Sequence, residues 1–141
     1  MTRRDILMTF SYAPSAEDLV VIARNNLDSL PLELADLCTD LTVTIEEFPD
    51  EATEQELELD SPYELLALYK SAREITPGVE KKIANGEDCL ILYRRPILDM
   101  WCETSDDLND LVRQIMVGEI ASHFDFPEDQ IEDITRRAAL V

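Results

Sequence analysis

Residues 89–126 read CLILYRRPILDMWCETSDDLNDLVRQIMVGEIASHFDF, and this stretch decides the fold. Its first five residues form a continuous apolar run, which predicts a buried strand. Pro96 limits that strand, because proline cannot donate a hydrogen bond to a sheet ladder. Thr104 is a good helix N-cap and acidic residues follow it, so a long helix is predicted over residues 105–124.

The predicted helix is amphipathic at first and then changes character. At about 100° per residue, one apolar arc of its first half is formed by Leu108, Leu111, Val112 and Ile115. Three unusual residues, Gly118, Glu119 and Ser122, are predicted to continue that inward arc, and a second apolar side develops beside them. A carboxylate is therefore expected inside the end of the helix, where its pKa would rise or it would find a partner.

Those three residues occupy the first, second and fifth positions of the H-E-x-x-H template. In that template two histidines on one helix face bind a metal, and the glutamate between them activates the metal-bound water. Here the glutamate position is kept as Glu119, whereas the histidine positions hold Gly118 and Ser122. The only histidine of the chain is His123.

The other segments predict a small α+β domain. Ser15 offers an N-cap to a first helix, and a final helix after Pro127 should turn Ile131, Ile134 and Ala138 inward. Residues 41–48 alternate apolar with polar side chains, which is typical of a half-buried strand. We expect a small mixed sheet from residues 41–48, the region 63–69 and residues 89–93, packed with three to four helices.

Length and composition narrow the possible functions. The 141 residues suit one domain, 1–141, with an N-terminal extension (1–14) and a long polar loop (70–88). Acidic residues number 31 against 12 basic ones, a formal charge of −19, which repels nucleic acid and anionic membrane and attracts basic partners. No apolar run approaches the roughly 18 residues of a membrane span, so a cytoplasmic protein is expected.

Cysteine and charge clusters carry little further information. The three cysteines are widely spaced and form no C-x-x-C pair, so neither a disulfide framework nor a zinc ribbon is indicated. Residues 46–60 hold eight acidic residues and no basic one. Such a run is typical of a solvated surface, and it could also be a docking surface for a basic partner.

The order of several segments resembles a known family. The strand-to-helix stretch ILYRRP…VGEIASHFDF follows LDSLPLEL, VTIEEFPDE and SPYELLALY. In this order the segments, spanning residues 19–134, resemble the minimal zincins, small bacterial zincin-like metallopeptidases in which L-Y-R-R-P precedes a helix carrying H-E-I-[AG]-H-H-F-G. The resemblance implies a minimal-zincin-like fold and zinc-dependent peptide hydrolysis.

The resemblance also assigns residues, position by position. The family's two zinc-binding histidines fall on Gly118 and Ser122, and its catalytic glutamate on Glu119. The histidine that is not a ligand is retained as His123, and the family glycine falls on Asp125. The zinc that the family implies therefore lacks its ligands, and no cofactor is expected.

Three functions follow as hypotheses. The first is a catalytically inactive pseudo-peptidase that binds a basic or extended peptide or protein. The second is an active metallopeptidase with a rebuilt metal site of Glu119, His123 and a downstream carboxylate, Asp125 or Glu128. The third is an acidic protein-interaction domain that uses residues 46–60.

Two arginines after the predicted buried strand are candidate ion-pair partners. Arg94 and Arg95 could pair with Glu119 or with the acidic surface of the protein. A structural ion pair is the simpler interpretation, because an arginine fork binds a carboxylate in a fixed geometry.

Overall fold

The protein is described from a computed structural model over residues 13–71, 88–104 and 106–139. The predicted N-terminal extension and the predicted polar loop lie almost entirely outside these ranges.

Three strands form one mixed sheet in the order β1–β3–β2. They are β1 (Thr42–Glu46), β2 (Ala67–Lys70) and β3 (Cys89–Tyr93). The central strand β3 runs parallel to β1 and antiparallel to β2, and all five of its residues are buried. The predicted buried strand and mixed sheet are thus confirmed, and among the described residues β2 lies at one edge of the sheet.

Helices supply most of the remaining described structure. In chain order they are α1 (Ala16–Asp28), α2 (Leu32–Ala35), α3 (Glu51–Glu56), α4 (Arg94–Thr104), α5 (Leu108–His123) and α6 (Glu128–Ala139), with a single 3₁₀ turn at Pro62–Glu64. Four of the six have eleven residues or more, and α2 and α3 are short. The α+β prediction is confirmed. Among the described residues, no helix combines the length and the apolar run needed to cross a bilayer.

The first helix begins where the sequence predicts. The Ser15 hydroxyl accepts the Asp18 N–H at 3.1 Å, and the Asp18 carboxylate accepts the Ser15 N–H at 2.8 Å. This reciprocal pair is a capping box, which satisfies two backbone donors that a helix end leaves unpaired.

The N-cap predicted for the long helix is wrong. Thr104 is the last residue of α4, and Asp107 caps α5 by accepting the Asp110 N–H at 3.2 Å. The prediction failed because Pro96 lies in the first turn of α4, where its missing N–H is tolerated, so a helix follows β3 directly. The Trp101 indole N–H then donates to the Asp106 carbonyl at 2.8 Å, at the turn between the two helices.

The main core lies between one face of the sheet and the helices. Leu19 and Ala23 of α1 and Val112 and Met116 of α5 are fully buried in it. On α6, Ile134 is fully buried and Ile131 packs partly against the same core, as predicted. The environment of the Ala138 side chain lies outside the described part. A smaller cluster of Cys89, Ile91 and Tyr93, with Leu65 and Leu68, covers the other face of the sheet.

We predict that Asp107→Ala lowers the free energy of unfolding by about 1–2 kcal/mol, the effect of losing a helix cap. Asp107 is only 6% exposed, so water poorly replaces the lost acceptor. The matched control is Thr104→Ala, which should change stability by less than about 0.5 kcal/mol. Urea unfolding of both variants checks this, and a larger loss in Thr104→Ala would contradict the placement of the cap.

Candidate functional site

The site is built where the motif helix α5 meets the edge strand β2. Antiparallel strands exchange hydrogen bonds through alternate residues, and the Tyr93 N–H donates to the Leu66 carbonyl at 3.0 Å. With Leu68 opposite Ile91 in the register, this alternation turns the backbone groups of Ala67 and Tyr69 away from β3. They therefore lie on the outer edge of the sheet.

Glu119 bonds that outer edge. Its Oε2 accepts the Tyr69 backbone N–H at 3.1 Å. The carboxylate thus accepts the kind of hydrogen bond that a strand accepts from its neighbour in a sheet. This contact joins α5 to β2. Fifty residues separate the two partners in the sequence, so no local sequence pattern predicts this contact.

The environment of Glu119 acts in two directions on its carboxyl group. Burial raises the pKa of Glu119 because desolvation penalises the charged form, and the Tyr69 N–H opposes this shift by stabilising the charge. The net direction is upward. The sequence predicted that the Glu119 carboxylate would either have a raised pKa or find a partner. In the structure, its pKa is raised and it also has a hydrogen-bond partner.

The two arginines after β3 contact other groups. Arg94 forms an ion pair with Glu47 at 2.8 Å and donates its Nε–H to the Pro14 carbonyl at 2.7 Å. The Arg95 guanidinium lies over the Phe48 ring, 5.5 Å from its centroid. Of the two partners considered for Arg94, the structure places it with the acidic surface.

Gly118 and Ser122, the positions that the resemblance assigns to zinc ligands, lie outside the core, which corrects the prediction that they face inward. Ser122 is exposed, and a Cβ placed on Gly118 would meet no atom within 4 Å. The predicted inward arc was extended too far along the helix, because Ser122 is exposed and Gly118 lines an open groove. In the second half of α5 the core-facing residues are instead Val117, Ile120 and Ala121.

His123 belongs to an aromatic cluster. Its ring stacks on Tyr69, with centroids 3.9 Å apart and planes at 21°, and Phe124 packs edge-on against both rings. The Tyr69 hydroxyl in turn donates to Asp88 at 2.6 Å. The one imidazole of the chain therefore packs against the buried Tyr69 ring beneath the edge strand.

Asp125 stands at the position that the resemblance assigns to a family glycine, and its backbone conformation suits a glycine. Its φ is 59°, in the left-handed region that glycine adopts freely and that aspartate tolerates better than most residues. Its side chain is exposed in the turn after α5. The backbone conformation therefore explains why glycine suits this position.

The available donors do not fit a catalytic zinc site, which needs three protein ligands, usually histidine or cysteine among them. Within the described ranges, no group of three histidine, cysteine, aspartate or glutamate side chains could hold a metal ion. The candidates His123, Asp125 and Glu128 are thus not assembled with Glu119 into such a group. Because His123 is the only histidine of the whole sequence, no other segment can supply a second imidazole.

A groove of about 320 Å³ lies between α5 and the start of β2. Leu65, Leu66 and Ile115 give it apolar walls, and Glu64 and Glu119 contribute carboxylates. It includes the open space beside Gly118. Sequence reasoning missed the groove, although a glycine without a backbone reason in a helix interior was a signal for it.

The chain was compared with known proteins. Residues 38–138 match the family model described as a zincin-like metallopeptidase, which confirms the resemblance seen in the sequence. A search of curated proteins found no match.

We predict that Glu119→Gln stabilises the protein at neutral pH. The pKa of Glu119 is higher in the folded protein than in the unfolded chain. Its stabilising contribution is therefore complete below the unfolded-state pKa, where the carboxyl is protonated, and is lost as the pH rises through the folded-state pKa. Glutamine keeps an oxygen acceptor for Tyr69 without the charge.

The gain in free energy of unfolding at pH 7 should lie in the range of about 0.5–2 kcal/mol that stabilising substitutions commonly give. It should shrink as the pH falls toward 4. Glu64→Gln, an exposed carboxylate beside the same groove, is the matched control and should show little change. Loss of stability in Glu119→Gln at pH 7 would contradict this account.

Proposed function

This chain belongs to the zincin-like metallopeptidase family, and we propose that it is a metal-independent member that binds an extended, basic peptide segment at the outer edge of β2. The observation that supports the proposal is a combination of two features of α5. Both zinc-ligand positions have lost their imidazoles, and the retained Glu119 bonds the edge strand.

Loss of hydrolysis follows from the donor chemistry. A zinc ion in such a site polarises the peptide carbonyl and lowers the pKa of a bound water. Gly118 has no side chain and Ser122 offers only a hydroxyl, so neither is an adequate zinc ligand. The remaining helix glutamate is in contact with a backbone amide.

Peptide binding follows from the edge strand. The outer edge of β2 presents backbone groups on alternate residues, and such an edge can accept an extended chain as an additional strand. Glu119 occupies the Tyr69 N–H, so pairing should concentrate at residues 65–67, beside the groove. Selectivity for basic segments is supported by the carboxylates of Glu64 and Glu119 and by the net charge of −19.

We predict that the protein retains peptides without metal and without cleaving them. The immobilised protein, attached through biotin rather than a histidine tag, is offered a random library of acetylated, amidated pentapeptides. The same intact peptides should be retained in the presence of a chelator and in the presence of zinc, as identified by mass spectrometry. Binding to residues 65–67 is checked by amide chemical shifts of the labelled protein.

Two controls separate the possible outcomes. A double variant, Gly118→His with Ser122→His, should bind zinc, because the first position has open space and the second is exposed. A variant that reverses two exposed charges of the acidic surface, Glu56→Lys with Glu58→Lys, should retain groove-bound peptides. Cleaved peptides with zinc, abolished in His123→Ala, would overturn the proposal in favour of a rebuilt metal site. Retention of no peptide would also overturn it.

A further inference from the structure

Gly118 is unfavourable for the stability of the helix, and no packing contact in this structure explains why a glycine is present there. A glycine in a helix interior is about 1 kcal/mol less favourable than alanine. Glycine is often kept where another atom approaches too closely for a Cβ, yet a Cβ at Gly118 would meet nothing within 4 Å. The position thus leaves a gap that any larger side chain would narrow.

The gap beside Gly118 opens into a groove that has both apolar and charged walls. Its volume is about 320 Å³ and it is open to solvent. The walls formed by Leu65, Leu66 and Ile115 are apolar, and carboxylates stand at Glu64 and Glu119. Lysine and arginine have the complementary form, with an apolar stem and a cationic tip.

Among the described residues that line the groove, there is no lysine or arginine to accompany the Glu119 carboxylate. Among the described residues, the hydrogen bond that reaches this partly buried carboxylate comes from the Tyr69 N–H to Oε2, and no arginine or lysine accompanies it. A carboxylate taken out of water without a cation is costly. An apolar occupant would increase that cost and an acidic one would be repelled, whereas a cation would offset it.

We propose that the gap beside Gly118 is a subsite for one lysine or arginine side chain of the bound peptide, with Glu119 receiving its cation. This inference rests on the proposed function, because it needs a peptide at the edge of β2. It adds a specificity residue, Glu119, and a size determinant, Gly118.

Three pentapeptide libraries test the subsite, each acetylated and amidated with random flanking residues. The fixed central residue is lysine in the first, norleucine in the second and glycine in the third. Lysine and norleucine have stems of equal length, so their difference isolates the cation. Retention by the wild-type protein should be at least tenfold greater for the lysine library than for the norleucine library.

Two variants locate the effect. Glu119→Gln should reduce the preference for lysine over norleucine from at least tenfold to less than about twofold, a residual difference of under about 0.5 kcal/mol, while retention of the norleucine library persists. Gly118→Leu should reduce retention of the lysine library at least tenfold and leave the glycine library unchanged, because only the gap is filled. Leucine also favours helix, so α5 should remain folded, which circular dichroism checks.

The outcomes separate the two proposals. Equal retention of the lysine and norleucine libraries, or an unchanged lysine preference in Glu119→Gln, would overturn the subsite and leave peptide binding intact. Retention of none of the three libraries would overturn the proposed function, and the subsite with it.

Discussion

The hydrogen bond between the Glu119 carboxylate and the Tyr69 N–H is the contact on which the site depends. It joins the motif helix to the edge strand at 3.1 Å. On one side of it the Tyr69 ring stacks with His123. On the other side α5 and β2 diverge into the groove beside Gly118. The residue that the family resemblance identifies as catalytic is here placed as a structural bridge.

The absence of imidazoles at Gly118 and Ser122 is compatible with an intact scaffold, because other residues form the core. The core of this protein is formed by apolar residues of α1, α5 and the sheet, and its burial requires no metal. Gly118 and Ser122 lie on the outward side of α5, so their side chains contribute little to that core. The fold can therefore lose both imidazoles without losing its packing.

Sequence patterns predicted the parts of this fold that depend on local chemistry. Neighbouring residues were enough to predict the cap at Ser15, the buried strand β3 and the family motif on α5. Thr104 was predicted as the cap of the long helix because threonine is a good N-cap. The local sequence does not show that α4 continues to this residue, which leaves the cap to Asp107. The outward orientation of Ser122 was missed because a helical wheel does not show where the sheet ends.

The site itself was only partly predictable. The sequence identified Gly118, Glu119 and Ser122 as the unusual positions. It could not supply the Tyr69 amide, which is contributed by the backbone of a distant strand, or the groove, which exists only once α5 lies across β2. The resemblance supplied the roles that these positions have in the family, and the structure adds the contacts that they make in this chain.

Hydrogen exchange at the Tyr69 amide tests the central claim most directly. In the wild-type protein this N–H, which points away from β3, should be protected because Glu119 accepts its hydrogen bond. In Glu119→Ala it should exchange at least about tenfold faster, equivalent to some 1.4 kcal/mol of lost protection, while Leu68, which faces β3, keeps its rate. Equal exchange of Tyr69 in the two proteins would show that the carboxylate does not hold the edge strand and would contradict the account.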